Sequence, residues 1–406
     1  MPKSEDAAIP MPSSLDHLNF LVGNAETLQR LASTPALPPF SSQVVQFLDD
    51  VSQRLMGHAL AKTYPDVATF AFWCRRTSIE RIREPYGTLT NRIGRGVAFH
   101  VAPSNVPVNF AYSLVTGLLA GNANVVRVPS RDFPQVDMIC GAISEAIASN
   151  PGMKDRICLV KYGHEKAVTD ELSLLCDARI IWGGDDTIRT MRKSPLPPRA
   201  VEITFADRYS LAIIDATAYL KLETAKVAQD FYNDTYLTDQ NACTSPQLVV
   251  WCGANIEEAK SQFWSALHRI LLSRYHLKPV TAVSKWSAFC RLAEGMEGRL
   301  MHSEDNLIIR VKVPRLDPQL MDFNHHSGFF IEYDLRGKEE LLPMCTSRCQ
   351  TIACLGLEPR EIAEYLMRHA PRGVDRVVPF GRTLEYSLNW DGYDLVKTLS
   401  RGCEVL

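Results

Sequence analysis

The stretch Gly96–Ser130, GVAFHVAPSNVPVNFAYSLVTGLLAGNANVVRVPS, decides the fold. It reads as a buried strand (GVAFHVAP), a helix (VPVNFAYSLVTGLLAG) closed by Gly121, and a second buried strand (NVVRVP). A helix between consecutive buried strands, with short connections, predicts a parallel sheet covered on both faces. The rhythm continues outward. Helix DFPQVDMICGAISEAIAS, strand RICLVKY, helix KAVTDELSLL, strand ARIIWGG and helix DDTIRTMR follow in turn. KSPLPPRA breaks it, and AVEITF and YSLAIID read as two further strands before a long helix AYLKLETAKVAQDFYNDTYL. The second half uses the same vocabulary: strand QLVVWCG, helix IEEAKSQFWSALHRILLSRYH, strands LIIRVKV, GFFIEYD and QTIACLGL, helix EIAEYLMRHA and strand DRVVPFG. Upstream, Val44, Val45, Leu48, Val51 and Leu55 recur at helical spacing behind Ser41 or Ser42 as cap. Pro65 suits the first turn of a second helix through FAFWCRRTSIERIRE.

Composition narrows the function. The 406 residues are 46% hydrophobic and 22% charged, with a net charge of −2. That is an ordinary globular balance, and no long basic block supports a nucleic-acid surface or a polybasic membrane patch. No stretch approaches the roughly 20 apolar residues of a membrane-spanning helix. The opening MPKSEDAAIPMPSS carries acids and prolines where a secretory leader needs an apolar run. Eleven cysteines form no repeating spacing and no zinc signature, which suits thiols in a reducing cytoplasm.

Ligands of parallel sheets bind beyond the carboxyl ends of the strands. Three such ends carry candidates: Asn105 after GVAFHVAP; Arg127, Ser130 and Arg131 after NVV; and Gly183–Gly184 after ARIIW, where Asp185 looks like a helix cap. The dinucleotide fingerprint GxGxxG is absent. In the second half, Cys243 sits among small polar residues in DQNACTSP, just ahead of a strand.

AFHVAPSNVPVNFAYSLVTGLLAGNANVVRVPS, WGGDD, VEITFADRYSLAII, DQNACTSPQLVVW and GVDRVVPFGRTLEYSLNWDGYDLVKTLSR, in this order, resemble the LuxC-type acyl-CoA reductases, a branch of the aldehyde dehydrogenase superfamily. The resemblance runs from about Phe70 onward. It implies an α/β fold with a Rossmann-type cofactor domain and an α/β catalytic domain. The expected organisation is an N-terminal arm over 1–40, a nicotinamide-cofactor domain over 41–236, a catalytic domain over 237–380 and a C-terminal segment over 381–406. It further implies NADPH-dependent reduction of an acyl-CoA or acyl-protein thioester to the aldehyde. Cys243 would be the nucleophile, Asn105 an oxyanion donor, and Glu202 the counterpart of the superfamily's glutamate base, without the glycines and lysine that follow it there. Arg127, Ser130 and Arg131 fall where the adenosine ribose is read. A serine in place of an acid, beside two arginines, favours a 2′-phosphate. Expected partners are the acyl donor, an acyl-protein synthetase or thioesterase, and further copies of the chain. Two rival readings are a hydrolytic NAD(P)-dependent aldehyde dehydrogenase and a non-catalytic acyl-binding subunit on the same fold. Asp391–Gly392 is a turn signal.

Overall fold

The computed structural model describes Leu15 and residues 18–404, except His302, Glu304, Asn324 and the side chain of Lys62. The first fourteen residues of the expected arm lie outside the described residues. The chain forms two compact units, one from the residues up to Ala206 together with those from Ser387, the other Asp207–Tyr386. The division falls after strand VEITF. Among the described residues no helix is long and apolar enough to cross a membrane.

The first unit opens with β1 (Asn19–Val22), α1 (Ala25–Leu31), α2 (Ser42–Gly57), α3 (Pro65–Trp73), α4 (Arg76–Arg83) and β2 (Arg92–Gly94). Then come β3 (Val97–Val101), α5 (Asn109–Leu119), β4 (Ala123–Arg127), α6 (Pro134–Ser149), β5 (Ile157–Lys161), α7 (Lys166–Leu175), β6 (Ala178–Trp182), α8 (Asp185–Met191) and β7 (Val201–Phe205). Its sheet has the order β1-β5-β4-β3-β6-β7. All pairs are parallel except β1–β5, so residues read as an arm supply an antiparallel edge strand. From β3 the chain builds outward through β4 and β5 on one side, then crosses to β6 and β7 on the other. The reversal lies between β3 and β6, where ligand crevices form in such sheets.

The second unit contains β8 (Tyr209–Asp215), α9 (Ala216–Tyr219), α10 (Thr224–Asp234), β9 (Pro246–Cys252), α11 (Ile256–Arg274), α12 (Pro279–Met296), β10 (Arg299–Leu300), β11 (Ile309–Lys312), β12 (Phe329–Asp334), β13 (Cys349–Leu355), α13 (Pro359–His369) and β14 (Arg376–Pro379). Its sheet runs β10-β11-β12-β9-β8-β13-β14, with β9 in the middle. Apolar residues pack on both faces: Leu292 of α12 and Leu366 of α13 against one, Phe231 of α10 and Phe263 of α11 against the other. The chain then returns to the first unit with β15 (Asn389–Trp390), β16 (Tyr393–Asp394), α14 (Leu395–Leu399) and β17 (Ser400–Gly402), which pairs with β2.

Several local expectations change. The helix expected from Pro65 onward is two helices. It stops at Cys74, Arg75 is extended, and Asp49 Oδ1 accepts the Arg76 N–H at 2.9 Å to start α4. The long helix after β8 is also two: α9, started by Asp215 accepting the Ala218 N–H at 2.9 Å, ends in a turn in which Lys221 and Leu222 donate to the Ala218 and Tyr219 carbonyls, and Glu223 is extended before α10. Gly184, not Asp185, holds the N-cap position of α8. Gly121 does close α5: its φ is +93°, and a Cβ there would meet the Leu37 carbonyl oxygen at 1.9 Å. Asp391 (φ 48°) and Gly392 (φ 75°) form the two-residue turn of the β15–β16 hairpin, where positive φ at both positions matches strand twist.

Candidate active site

The Cys243 loop is built from the Thr235–Ser245 segment between α10 and β9. A single helical turn, Tyr236–Thr238, ends in Asp239 and Gln240, both left-handed at φ 53° and 55°. Left-handed backbone at a non-glycine residue costs of order 1–3 kcal/mol and persists only where surroundings impose it. The Gln240 side chain, fully buried, supplies that constraint. Its Nε2 donates to Pro246 O at 3.1 Å and Phe329 O at 3.4 Å, and its Oε1 accepts from Gly328 N at 2.6 Å and Phe329 N at 3.3 Å. One amide thus ties the loop to the heads of β9 and β12. Downstream, Ser245 N donates to Ala242 O at 2.9 Å, and Ser210 Oγ donates to Cys243 O at 2.7 Å. The Cys243 backbone is therefore held from β8 while its side chain is half-buried.

The other thiols differ. Cys74, Cys140, Cys158, Cys176, Cys345, Cys349 and Cys354 are all buried. Burial pushes Cys140, Cys158, Cys176, Cys345 and Cys354 up to about 12, and Cys74 and Cys349 upward as well. Because the thiolate is the nucleophile, these are packing residues. Cys252, at the far end of β9, is pushed up to about 11, by burial first and then by Asp215. Cys290 lies exposed on a helix, and Cys403 is exposed beyond β17. Of the half-buried or exposed thiols, Cys243 has the pinned polar loop.

In the first unit the carboxyl edge collects the expected cofactor residues together with Asn105. Asn105 is exposed in the bend after β3. Arg127 ends β4; its guanidinium lies 4.5 Å over the Tyr162 ring, and its Nη2 donates to Tyr162 O at 3.4 Å and to Gly163 O. Ser130 and Arg131 are exposed beyond it. Gly183 and Gly184 follow β6; a Cβ on Gly183 would meet Thr187 Cγ2 at 2.9 Å. The strand order β4-β3-β6 brings these three ends side by side. Under them runs a buried polar chain. Trp182 Nε1 donates to Ser113 Oγ at 2.9 Å, His100 Nδ1 meets the same oxygen at 2.7 Å, and His100 Nε2 meets Asn124 Oδ1 at 3.0 Å. Burial pushes His100 down to about 4, so it is neutral at pH 7.

Glu202 does not join that edge. It is the second residue of β7, at the amino end, and its register partner on β6 is Arg179. Arg179, 2% exposed, donates to Glu202 Oε2 through Nε at 3.0 Å and Nη2 at 2.5 Å; Arg192 Nε donates to Oε1 at 2.7 Å. Both carboxylate oxygens are committed, so the residue neutralises a buried guanidinium and is poorly disposed to take a proton from water. A signal for this lay in the sequence: ARIIW and VEITF carry opposite charges at the same strand position. For Gln240 the signal was weaker, a long amide between Asp239 and Asn241 in a turn.

These two parallel α/β units are those of the aldehyde dehydrogenases. A variant of 1-pyrroline-5-carboxylate dehydrogenase from Thermus thermophilus superposes over 92% of this chain and 82% of its own, with a TM-score of 0.62 at 13% identity. The NAD-dependent benzaldehyde dehydrogenase of Corynebacterium glutamicum does so over 91% and 86%, also with 0.62, at 12%. Within that fold the chain belongs to the acyl-CoA reductase (LuxC) family, whose model matches residues 74–402. It is similar to the long-chain acyl-protein thioester reductases of Aliivibrio fischeri, 28% identical over 166 residues, and Vibrio harveyi, 28% over 170. Those matches span 40% and 41% of this chain and only 33% and 34% of the relatives' own length.

Proposed function

We propose that this protein reduces an acyl thioester, carried on CoA or on a protein, to the aldehyde with NADPH, through a thioester on Cys243. The observation that carries the reading is the Cys243 loop: a half-buried thiol ahead of a central strand, in a loop whose left-handed Asp239 and Gln240 are pinned by the buried Gln240 amide. The Cys243 thiolate attacks the donor carbonyl, and the Cys243 backbone N–H is a donor for the tetrahedral oxyanion, with the Asn105 amide as the second donor that the family resemblance implies. Collapse expels the donor thiolate and leaves an acyl group on sulfur. A reduced nicotinamide supplies the hydride that the acyl carbon receives. The Cys243 sulfur then leaves as thiolate and the aldehyde departs. Such chemistry needs a reduced thiol, which suits a reducing compartment such as the cytoplasm.

The carboxyl edge suits a phosphorylated dinucleotide. Ser130 and Arg131 are open there, and the neighbouring acid, Asp132, is paired with Lys161 at 2.5 Å. The commitment of Glu202 to Arg179 and Arg192 weighs against a hydrolytic dehydrogenase, which needs a base to activate water. The test is incubation of the pure protein with NADPH and a panel of acyl-CoAs, with products identified by mass. Wild type should release aldehyde and accept label from radiolabelled acyl-CoA. Cys243→Ala should do neither while still binding the nucleotide. Labelling of the Cys243→Ala protein at wild-type level refutes the assignment.

A further inference from the structure

The amino edge of the first sheet carries a second concave site. Strands β3, β6 and β7 lie side by side and run parallel, so the residues just ahead of them meet: Arg95, Asp177 and Arg199. Arg401 of β17 joins them through the pairing of β17 with β2. Together they line a cavity of about 360 Å³, within the range of small-molecule sites.

Its charge is unbalanced, with three guanidiniums facing one carboxylate. That carboxylate is turned to the backbone: Asp177 Oδ2 accepts the Val97 N–H at 2.9 Å, in space left open because residue 96 is glycine. Arg95 is anchored by Nε to Thr398 O at 2.6 Å, which leaves its two terminal nitrogens. Among the described residues, the side chains of Arg199 and Arg401 make no hydrogen bond and no ion pair. Burial first, and then the charges of Arg92, Arg199 and Arg401, press Arg95 below the ordinary arginine value. Like charges are gathered here with only Asp177 to offset them.

We propose that this cavity binds a small phosphate-bearing anion, a phosphate monoester or diphosphate, at the opposite edge of the sheet from the nicotinamide site. A phosphate monoester carries close to two negative charges at neutral pH, matching the excess of two positive charges in the lining. Guanidinium forks grip phosphate oxygens in pairs, whereas lysines would act only as point charges.

The probe is inorganic pyrophosphate, titrated calorimetrically into the full chain at fixed ionic strength. Arg199→Ala/Arg401→Ala should lose one binding event or weaken it by about tenfold or more. Arg127→Ala, at the other edge, should keep it. Neither the Arg199 nor the Arg401 side chain has a hydrogen-bond or ion-pair partner among the described residues, so ligand-free unfolding temperatures should not fall below wild type. If the alanine pair fails to fold, Arg199→Gln/Arg401→Gln gives the same reading. Absence of pyrophosphate binding to wild type overturns the proposal, as does unchanged binding by the double variant.

Discussion

The Gly328 N–H is held by the Gln240 side-chain oxygen at 2.6 Å, not by a backbone carbonyl. Gly328 opens into β12 and Gln240 lies in the Cys243 loop, so one side-chain amide ties the loop to the head of that strand. Lys285 supports the same turn from below: its buried ammonium donates to Ser327 O at 2.7 Å and to Asn306 O.

Gln240→Ala should lower stability by about 2–4 kcal/mol, because buried N–H and C=O groups on β9 and β12 lose their partner. Acyl-enzyme formation should fall more than nucleotide binding, since the defect lies in the Cys243 loop. Gln240→Glu should be no better, because it would face the Pro246 and Phe329 carbonyls with an acceptor. Chemical denaturation alongside labelling by acyl-CoA decides this. A Gln240→Ala protein of wild-type stability and labelling rate would mean that the loop holds itself.

Asn105→Ala should lower kcat by roughly 10²–10³ with little change in substrate KM, because an oxyanion donor acts on charge that develops in the transition state. Asn105 is exposed in its bend, so unfolding temperature should not move. Normal turnover by the variant would reduce Asn105 to a turn residue.

The alternation of apolar runs announced both sheets, because strands buried on two faces must be continuous and apolar. What spacing did not carry was pairing between distant segments. Arg179 and Glu202 meet through strand register, and Arg95, Asp177, Arg199 and Arg401 through sheet order; neither is local in sequence. Helix α12 escaped for another reason. Its Val280, Val283 and Trp286 are 69%, 67% and 40% exposed, so apolar residues occupy its outer face and blur the amphipathic period. The break at Cys74–Arg75 comes with a cap supplied by Asp49, a residue on another helix, and the break after Tyr219 with a turn over Leu220–Leu222 and an extended Glu223.

Glu202→Gln should destabilise the first unit by about 2–4 kcal/mol, since it leaves the buried Arg179 guanidinium without its charge partner. Activity per folded molecule should survive. The pair Arg179→Met/Glu202→Leu should recover part of the loss, as apolar replacements of buried ion pairs do. A variant that keeps its stability but loses turnover would restore Glu202 to the chemistry.

His100 gives a pH dependence whose sign is fixed by its burial. Its folded value, about 4, lies below the ordinary 6.5. The unfolded chain therefore binds the proton first, and stability falls as pH drops from about 6.5 to about 4. The full effect is about 3 kcal/mol, lost by the lower limit. His100→Gln, which cannot titrate, should flatten this part of the curve. Denaturation midpoints at half-unit pH steps measure it; equal slopes in both proteins would show that other groups dominate.

If the proposed nucleotide site is right, cofactor choice should rest on the end of β4. Arg127 is part-engaged, with Nη2 on the Tyr162 and Gly163 carbonyls, so Arg127→Ala should loosen the turn after β5 as well as remove a charge. Arg131 is exposed and carries less structural work, which makes it the cleaner single variant. A charge-assisted contact of about 1.5–3 kcal/mol to a 2′-phosphate implies a loss of roughly 10–150-fold in kcat/KM for NADPH, with NADH spared. Arg127→Ala/Arg131→Ala should show the larger shift in the ratio of the two cofactors. Ser130→Glu should move it the same way by adding repulsion where the native edge has none, since Asp132 is neutralised by Lys161. The ratio of kcat/KM values for NADPH and NADH, in wild type and each variant, is the measurement. A wild type that already prefers NADH, or a double variant that keeps the wild-type ratio, would mean that these arginines do not read the phosphate.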